Sequence, residues 1–203
     1  MRELIVTENI TLDSVIDASE GWFDPAGDDA EVDQSDVEAA LREQREAADA
    51  LLLGRVTFED MRGYWPLQTN DTTGITDYLN KVSKYVVSSS LEDPAWEHTV
   101  VLRGVLADEI RRLKSEPGGD IVTTGSMTVV SDLIAAGMVD EYRLFMYPVV
   151  LGHGRRLFTD ATEVPRLRLV EAKSFRSGIV LLRSGSLTAA VSTIRIAVTA
   201  LGD

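Results

Sequence analysis

The sequence predicts an α/β fold with a central mixed, mostly parallel sheet and a C-terminal antiparallel hairpin. Three observations carry this expectation. Short runs rich in Val, Ile and Leu alternate with segments of helical periodicity, the pattern of parallel strands joined by helical crossovers. The run Ala50-Leu51-Leu52-Leu53-Gly54 is wholly apolar until its glycine, as a strand covered on both faces must be. Near the C-terminus, two strand-like runs flank Ser177-Gly178, a hairpin signal.

In chain order, the first strand is expected from Glu3 to Thr11, followed by an acidic loop. A helix from Val37 to Asp49 follows, with Val37, Leu41 and Ala48 on one face. Ser35 reads as its N-cap, with Glu38 three residues on in a capping-box arrangement. The buried strand ending at Gly54 runs into a helix, and Lys84 to Ser88 and Thr99 to Leu102 read as two more strands. Val105 to Lys114 reads as a helix stopped by Pro117-Gly118-Gly119. Then come a strand from Asp120 to Gly125, a helix from Ser126 to Ala136, and a strand from Glu141 to Leu151. The hairpin strands are Arg166 to Phe175 and Ile179 to Arg183. Residues 1–183 therefore form one domain. Nothing in the pattern calls for residues 184–203, which are open to three readings: an added strand, an arm for a partner subunit, or a poorly ordered tail.

Composition narrows the function classes. A chain of 203 residues, 44% hydrophobic and 26% charged, fits one globular domain. It has no cysteine, which excludes a disulfide framework and a thiolate metal site. His98 and His153 stand far apart, so no metal site is expected. The net charge is −13, and residues 13–38 carry no Lys or Arg, a surface that repels phosphate backbones and argues against nucleic acid as a partner. The acidic stretch reads as a solvated loop, because Asp24-Pro25-Ala26-Gly27-Asp28-Asp29 lacks the alternating ligand spacing of a calcium loop. Neither a signal-peptide pattern nor a run of roughly 18 apolar residues is present, so a cytoplasmic protein without a membrane partner is expected.

Five motifs sit where an open α/β sheet gathers its ligands, at the carboxyl ends of strands. In the first, Gly54-Arg55-Val56-Thr57, glycine permits close approach, Arg55 can fork onto a phosphate and Thr57 adds a hydroxyl. In the second, Gly125-Ser126-Met127 opens a helix whose backbone amides can face a pyrophosphate, although the pattern is not an ordinary Rossmann fingerprint. Third, Ser88, Ser89 and Ser90 end a strand with three hydroxyls suited to an adenosine phosphate. Fourth, the run from Pro148 to Phe158 carries His153, Arg155 and Arg156 in a glycine turn. Fifth, Asp13 follows the first strand as a candidate catalytic carboxylate. Each motif taken alone also has a structural reading as a turn, a cap or a packing glycine.

Their order is more informative. A first strand ending in L-D-x-V, an apolar strand into G-R-x-T-F-E, a strand into S-S, a strand into G-S and the run P-V-V-L-G-x-G-x-x-L-F together resemble the dihydrofolate-reductase-like superfamily. Within it they resemble the riboflavin biosynthesis reductase, or RibD C-terminal, family, over roughly Arg2 to Arg183. The resemblance implies a three-layer α/β/α fold, NADPH as cofactor, and a pteridine- or pyrimidine-like substrate whose C=N or C=O bond is reduced. The activity implied is similar to that of 5-amino-6-(5-phosphoribosylamino)uracil reductase or dihydrofolate reductase. It also implies a homodimer. By resemblance, Arg55, Thr57 and Ser88 to Ser90 lie near the adenosine 2′-phosphate, with Gly54 at the same turn. Gly125, Ser126 and Met127 lie along the pyrophosphate, and Asp13 and Trp22 border the nicotinamide and the substrate pocket. The proton is expected from Asp13, from an acid at the start of the first helix (Asp33, Asp36 or Glu38) or from bound water. The family has glycine after the first-strand Asp; here Ser14 stands in its place, so a left-handed turn is strained or the loop takes another path. The alternatives are a nucleotide-binding module of the same fold without turnover, and an interaction protein that keeps only the fold.

Overall fold

The structure, a computed structural model, describes residues 1–19, 21–23, 33–158 and 166–187. The acidic run 24–29 and residues 188–203 of the expected extension lie outside the described residues. The elements are β1 (Leu4–Thr11), α1 (Ser35–Ala47), β2 (Ala48–Gly54), α2 (Arg55–Tyr64) with a 3-10 turn at Trp65–Leu67, α3 (Ile75–Lys81), β3 (Ser83–Val87), β4 (Thr99–Leu102), α4 (Leu106–Ser115), β5 (Asp120–Thr123), α5 (Met127–Ala135), β6 (Glu141–Tyr147), β7 (Leu167–Ser174) and β8 (Val180–Ser186).

The strands form one sheet in the order β4-β3-β2-β5-β1-β6-β8-β7. The first six are parallel, and β8 and β7 close the sheet antiparallel. Alternation along β1 sorts the core into layers. Leu4, Val6 and Ile10 pack with Leu52 and Ile121 against Ile110 and Leu113 of α4 and Val129, Val130 and Leu133 of α5. Ile5 turns the other way, joining Leu51, Leu53 and Val86 against Phe58 of α2 and Leu79 of α3. On that second face α1 lays Val37 and Ala40 over Phe145 and Leu181, and the Phe175 ring stacks on Phe145 with centroids 6.1 Å apart. The result is three layers, helices on both faces of the sheet. Among the described residues no helix is long and apolar enough to cross a membrane.

Several element boundaries differ from the sequence expectation. The first helix stops at Ala47, because Asp49 binds the buried Arg2 guanidinium and accepts the Gly119 N–H at 2.9 Å, drawing Ala48 and Asp49 into β2. Gln34, not Ser35, is the N-cap of α1. The Ser35 hydroxyl instead accepts a hydrogen bond from Arg176 at 2.7 Å, so the expected capping box does not form. Strand β6 ends at Tyr147 rather than Leu151, since its neighbour β8 pairs it only as far as Met146. Strand β8 continues past Arg183 to Ser186, so three residues of the expected extension belong to the sheet.

Helix α3 had no clear sequence signal. Its start is fastened by Asp71, which accepts the N–H groups of Thr73 and Thr76, each at 2.7 Å. Its end is closed by the fully buried Lys84, whose Nζ donates to Leu79 O and Val82 O and lies 4.7 Å from the Trp96 ring. A cation at a helix C-terminus is favourable to the dipole, and the ring faces it as well. Burial lowers the Lys84 pKa to about 8.

Candidate functional site

Because the six parallel strands share one direction, every motif singled out in the sequence arrives at the same edge of the sheet, the carboxyl one. There the β2 and β5 turns touch. A Cβ added to Gly54 would stand 2.5 Å from Ser126 Cβ, a separation that only glycine permits. A Cβ on Gly125 would stand 3.4 Å from Thr57 Oγ1, and Gly125 itself has φ +114°, a conformation that side chains with a Cβ avoid. Gly54, Thr57, Gly125 and Ser126 are thus one constellation.

Two helices begin at this contact. Gly54 caps α2 and Ser126 caps α5, neither helix has a side-chain hydrogen bond at its cap, and neither carries an acid in its first turn. The first N–H groups of a helix have no partner within it, and the dipole leaves them electropositive. Two such ends side by side, at glycines that let a ligand reach the backbone, make a cradle for a doubly charged phosphate group.

Next along the edge, Arg55, Val87, Ser88, Ser89, Ser90, Leu102, Arg103 and Gly104 line a cavity of about 410 Å³ between β2, β3 and β4. The Ser88 hydroxyl accepts the N–H groups of Ser90 and Leu91 at 3.2 and 3.0 Å, which folds the turn. Arg103 holds that turn by donating to Ser89 O at 2.9 Å and to Leu91 O. Arg55 pairs with Glu59 at 2.6 Å across one helical turn, with both side chains partly exposed. Two guanidinium groups and three serines therefore border one cavity. Arg103 was not singled out from the sequence; a cation directly after the strand beside the serine-ended strand was the available signal.

On the other side of β5, β1 loses its partner early: β5 pairs it only from Leu4 to Val6, while β6 pairs it to Thr11. At the end of β6, Trp22 and Phe23 pack edge-on against Tyr147, with centroids 5.3 and 5.7 Å apart. The Trp22 indole donates to Asp17 O at 2.7 Å. The Asp13 carboxylate accepts hydrogen bonds from Thr11 Oγ1 at 2.7 Å, Gly152 N at 2.8 Å and Leu151 N at 3.3 Å. The Thr11 hydroxyl and the Gly152 amide hold its pKa down, to about 2. Asp13 is therefore ionised at neutral pH and fastens the first loop to the glycine turn, in which His153 lies exposed. Ser14 has φ +70° and donates its N–H to Thr11 O at 2.9 Å, so the left-handed turn is kept and serine takes the strain.

The acids at the start of α1 are turned to other work. Arg176, from the β7–β8 turn, pairs with Asp33 at 2.5 Å and Asp36 at 3.3 Å. The Ser35 amide and hydroxyl lower the Asp33 pKa, and the Arg176 backbone amide lowers that of Asp36. Glu38 is exposed. Toward the sheet, α1 presents Gln44, whose Oε1 accepts the Thr7 hydroxyl at 3.2 Å. A carboxyl missed by the sequence reading is Glu8, buried on β1 with burial pushing its pKa up to about 8. Among the described residues no group of three or more His, Cys, Asp or Glu could hold a metal ion.

The family model of the RibD C-terminal domain matches residues 2–181. The uncharacterised protein YyaP of Bacillus subtilis (strain 168) is 29% identical over 181 residues, covering 88% of this chain and 92% of its own. A pyrimidine reductase-like protein from Corynebacterium diphtheriae superposes with a TM-score of 0.64 at 17% identity, covering 92% of each chain. Dihydrofolate reductase from Enterococcus faecalis, in complex with NADP(H), superposes with a TM-score of 0.59 at 20% identity over 91% of this chain and 96% of that one. The fold is thus that of dihydrofolate reductase, and the chain belongs to the RibD C-terminal domain family.

Proposed function

We propose that this protein is an NADPH-dependent reductase acting on a C=N or C=O bond of a pteridine- or pyrimidine-like small molecule. The observation that carries the reading is the contact of two helix N-termini, at Gly54 and Ser126, that lack side-chain cap hydrogen bonds. In this reading Gly125, Ser126 and Met127, with Gly54 and Thr57 opposite, hold the pyrophosphate through backbone amides. Arg55 and Arg103, with Ser88, Ser89 and Ser90, surround the adenosine 2′-phosphate, where a forked guanidinium selects the extra charge. When bound, NADPH supplies the hydride. Trp22 and Tyr147 wall the pocket beside it and exclude water from one side. Asp13, already ionised, acts as a positioning residue that locks the glycine turn over the pocket, and the proton comes from bound water.

One observation favours a second reading, a nucleotide-binding module without turnover: none of Asp33, Asp36 and Glu38 is a buried acid aimed at the pocket. Incubating the protein with NADPH and dihydropteridine or aminouracil substrates separates the two. Substrate-dependent loss of absorbance at the nicotinamide band supports the reductase, and binding without loss supports the module. We also propose a homodimer. Since β6 lies inside the sheet, whose edge strands are β4 and β7, the interface is assigned to β7, which continues the C-terminal hairpin and exposes Leu169 and Val170 at 61% and 45%. Light scattering should report twice the chain mass of 22.2 kDa.

A further inference from the structure

Glu8 has no part in the site described so far, and its surroundings do not explain it. Among the described residues three buried side-chain atoms lack a hydrogen-bond partner, and Glu8 Oε1 is the one carboxyl oxygen. Glu8 is 8% exposed and shares its face of β1 with Val6 and Ile10, with Leu144 paired beside it on β6. The titratable group next to it on that face is Tyr142, which burial keeps neutral with a pKa of about 12. Burial alone accounts for the raised pKa of Glu8, with no charged neighbour contributing. An interior carboxyl without a partner destabilises a fold, so its presence calls for a function.

Register locates that function. Strand β5 ends at Thr123, the partner of Val6. Glu8 lies two residues past the last β1–β5 pair, on the part of β1 that β5 leaves unpaired, and Gly125 lies two residues past that same pair on the other chain segment. The serine-lined cavity borders the β3–β4 gap, the helix cradle spans β2 and β5, and Glu8 lies at the β5–β1 gap. From the first gap to the last is three strand spacings, about 14 Å, a span that an extended dinucleotide covers. We propose that Glu8 is a binding residue for the nicotinamide riboside half of the dinucleotide, its carboxyl oxygen accepting a hydrogen bond from an amide N–H or ribose O–H of that half. This inference rests on the nucleotide reading above.

The test is calorimetric titration of the parent protein, Glu8→Leu and Glu8→Gln with two probes, NADPH and adenosine 2′,5′-bisphosphate, together with thermal unfolding. The bisphosphate carries the 2′-phosphate and lacks the nicotinamide half. Glu8→Leu should weaken NADPH at least about tenfold, the loss of one hydrogen bond to a buried acceptor. It should leave the bisphosphate within twofold and raise the melting temperature. Glu8→Gln, which keeps an acceptor carbonyl and the side-chain volume, should bind NADPH within about threefold of the parent. Unchanged NADPH affinity in Glu8→Leu, or an equal loss for both probes, overturns the role of Glu8. If the parent binds NADPH and not the bisphosphate, Glu8 is judged on the NADPH titrations alone. If the parent binds neither probe, the nucleotide reading itself fails, and this inference with it.

Discussion

Gly54→Ala strikes the site at its narrowest point. The new methyl would stand 2.5 Å from Ser126 Cβ, 2.9 Å from Ser126 Oγ and 3.3 Å from Val129 Cγ2. Ser126 Oγ can rotate away, but its Cβ is fixed to the backbone that caps α5, so the helix start must retreat by about 1 Å. Overpacking of this kind costs about 1–3 kcal/mol. For a domain of this size each kcal/mol lowers the melting temperature by roughly 2–4 °C. The same displacement takes the α5 amides out of hydrogen-bonding range of a phosphate held by α2. Losing one charge-assisted bond, about 1.5–3 kcal/mol, weakens NADPH by roughly 10- to 100-fold. Gly63→Ala in the same helix is the control: nothing lies within 4 Å of its new methyl, so it should gain about 0.5–1 kcal/mol and leave NADPH binding alone. Calorimetric titration and differential scanning calorimetry on both variants decide the matter. A Gly54→Ala protein that melts earlier yet binds NADPH as the parent does would refute the cradle and leave the glycine as packing alone.

Two further outcomes follow from strained or buried groups. Ser14→Gly relieves a left-handed serine at φ +70° and, after the greater chain entropy of glycine is subtracted, should stabilise the protein by about 0.5–1 kcal/mol in urea unfolding. An unchanged midpoint would show strain that only offsets the entropy of glycine, and a lowered one a turn without strain. For Glu8 the folded pKa is raised, from 4.5 to about 8, so its contribution to stability is complete below pH 4.5 and is lost as pH rises through 8. The stability of the parent relative to Glu8→Gln should therefore fall by on the order of 3–5 kcal/mol between pH 4.5 and 9. Parallel urea curves at both pH values would contradict this.

The strands and the turns at their ends were legible because they are local. Leu51-Leu52-Leu53 reads as covered on both faces wherever it sits, and a glycine between strand and helix reads as a turn. What the sequence hides is which turns meet. Gly54 and Ser126 touch only because β5 inserts between β2 and β1, a fact of topology. Arg103 looks like any surface cation until β4 pairs with β3 and brings it to Ser89. The capping box at Ser35 failed because a competing donor, Arg176, arrives from a turn far along the chain. Glu8 was hidden for the same reason: Thr7, Glu8 and Asn9 are consecutive polar residues, and only the packing of the finished sheet buries the middle one.

In the proposed function, cofactor selectivity rests on Arg55, Arg103 and the three serines reading the phosphate that distinguishes NADPH from NADH. Its most direct test is calorimetric titration of the parent protein with both cofactors, repeated on Arg55→Ala/Arg103→Ala. The parent should bind NADPH at least about tenfold tighter than NADH, equivalent to roughly 1.4 kcal/mol, and the double variant should lose that preference while retaining its affinity for NADH. Equal affinities for the two cofactors in the parent would contradict the account.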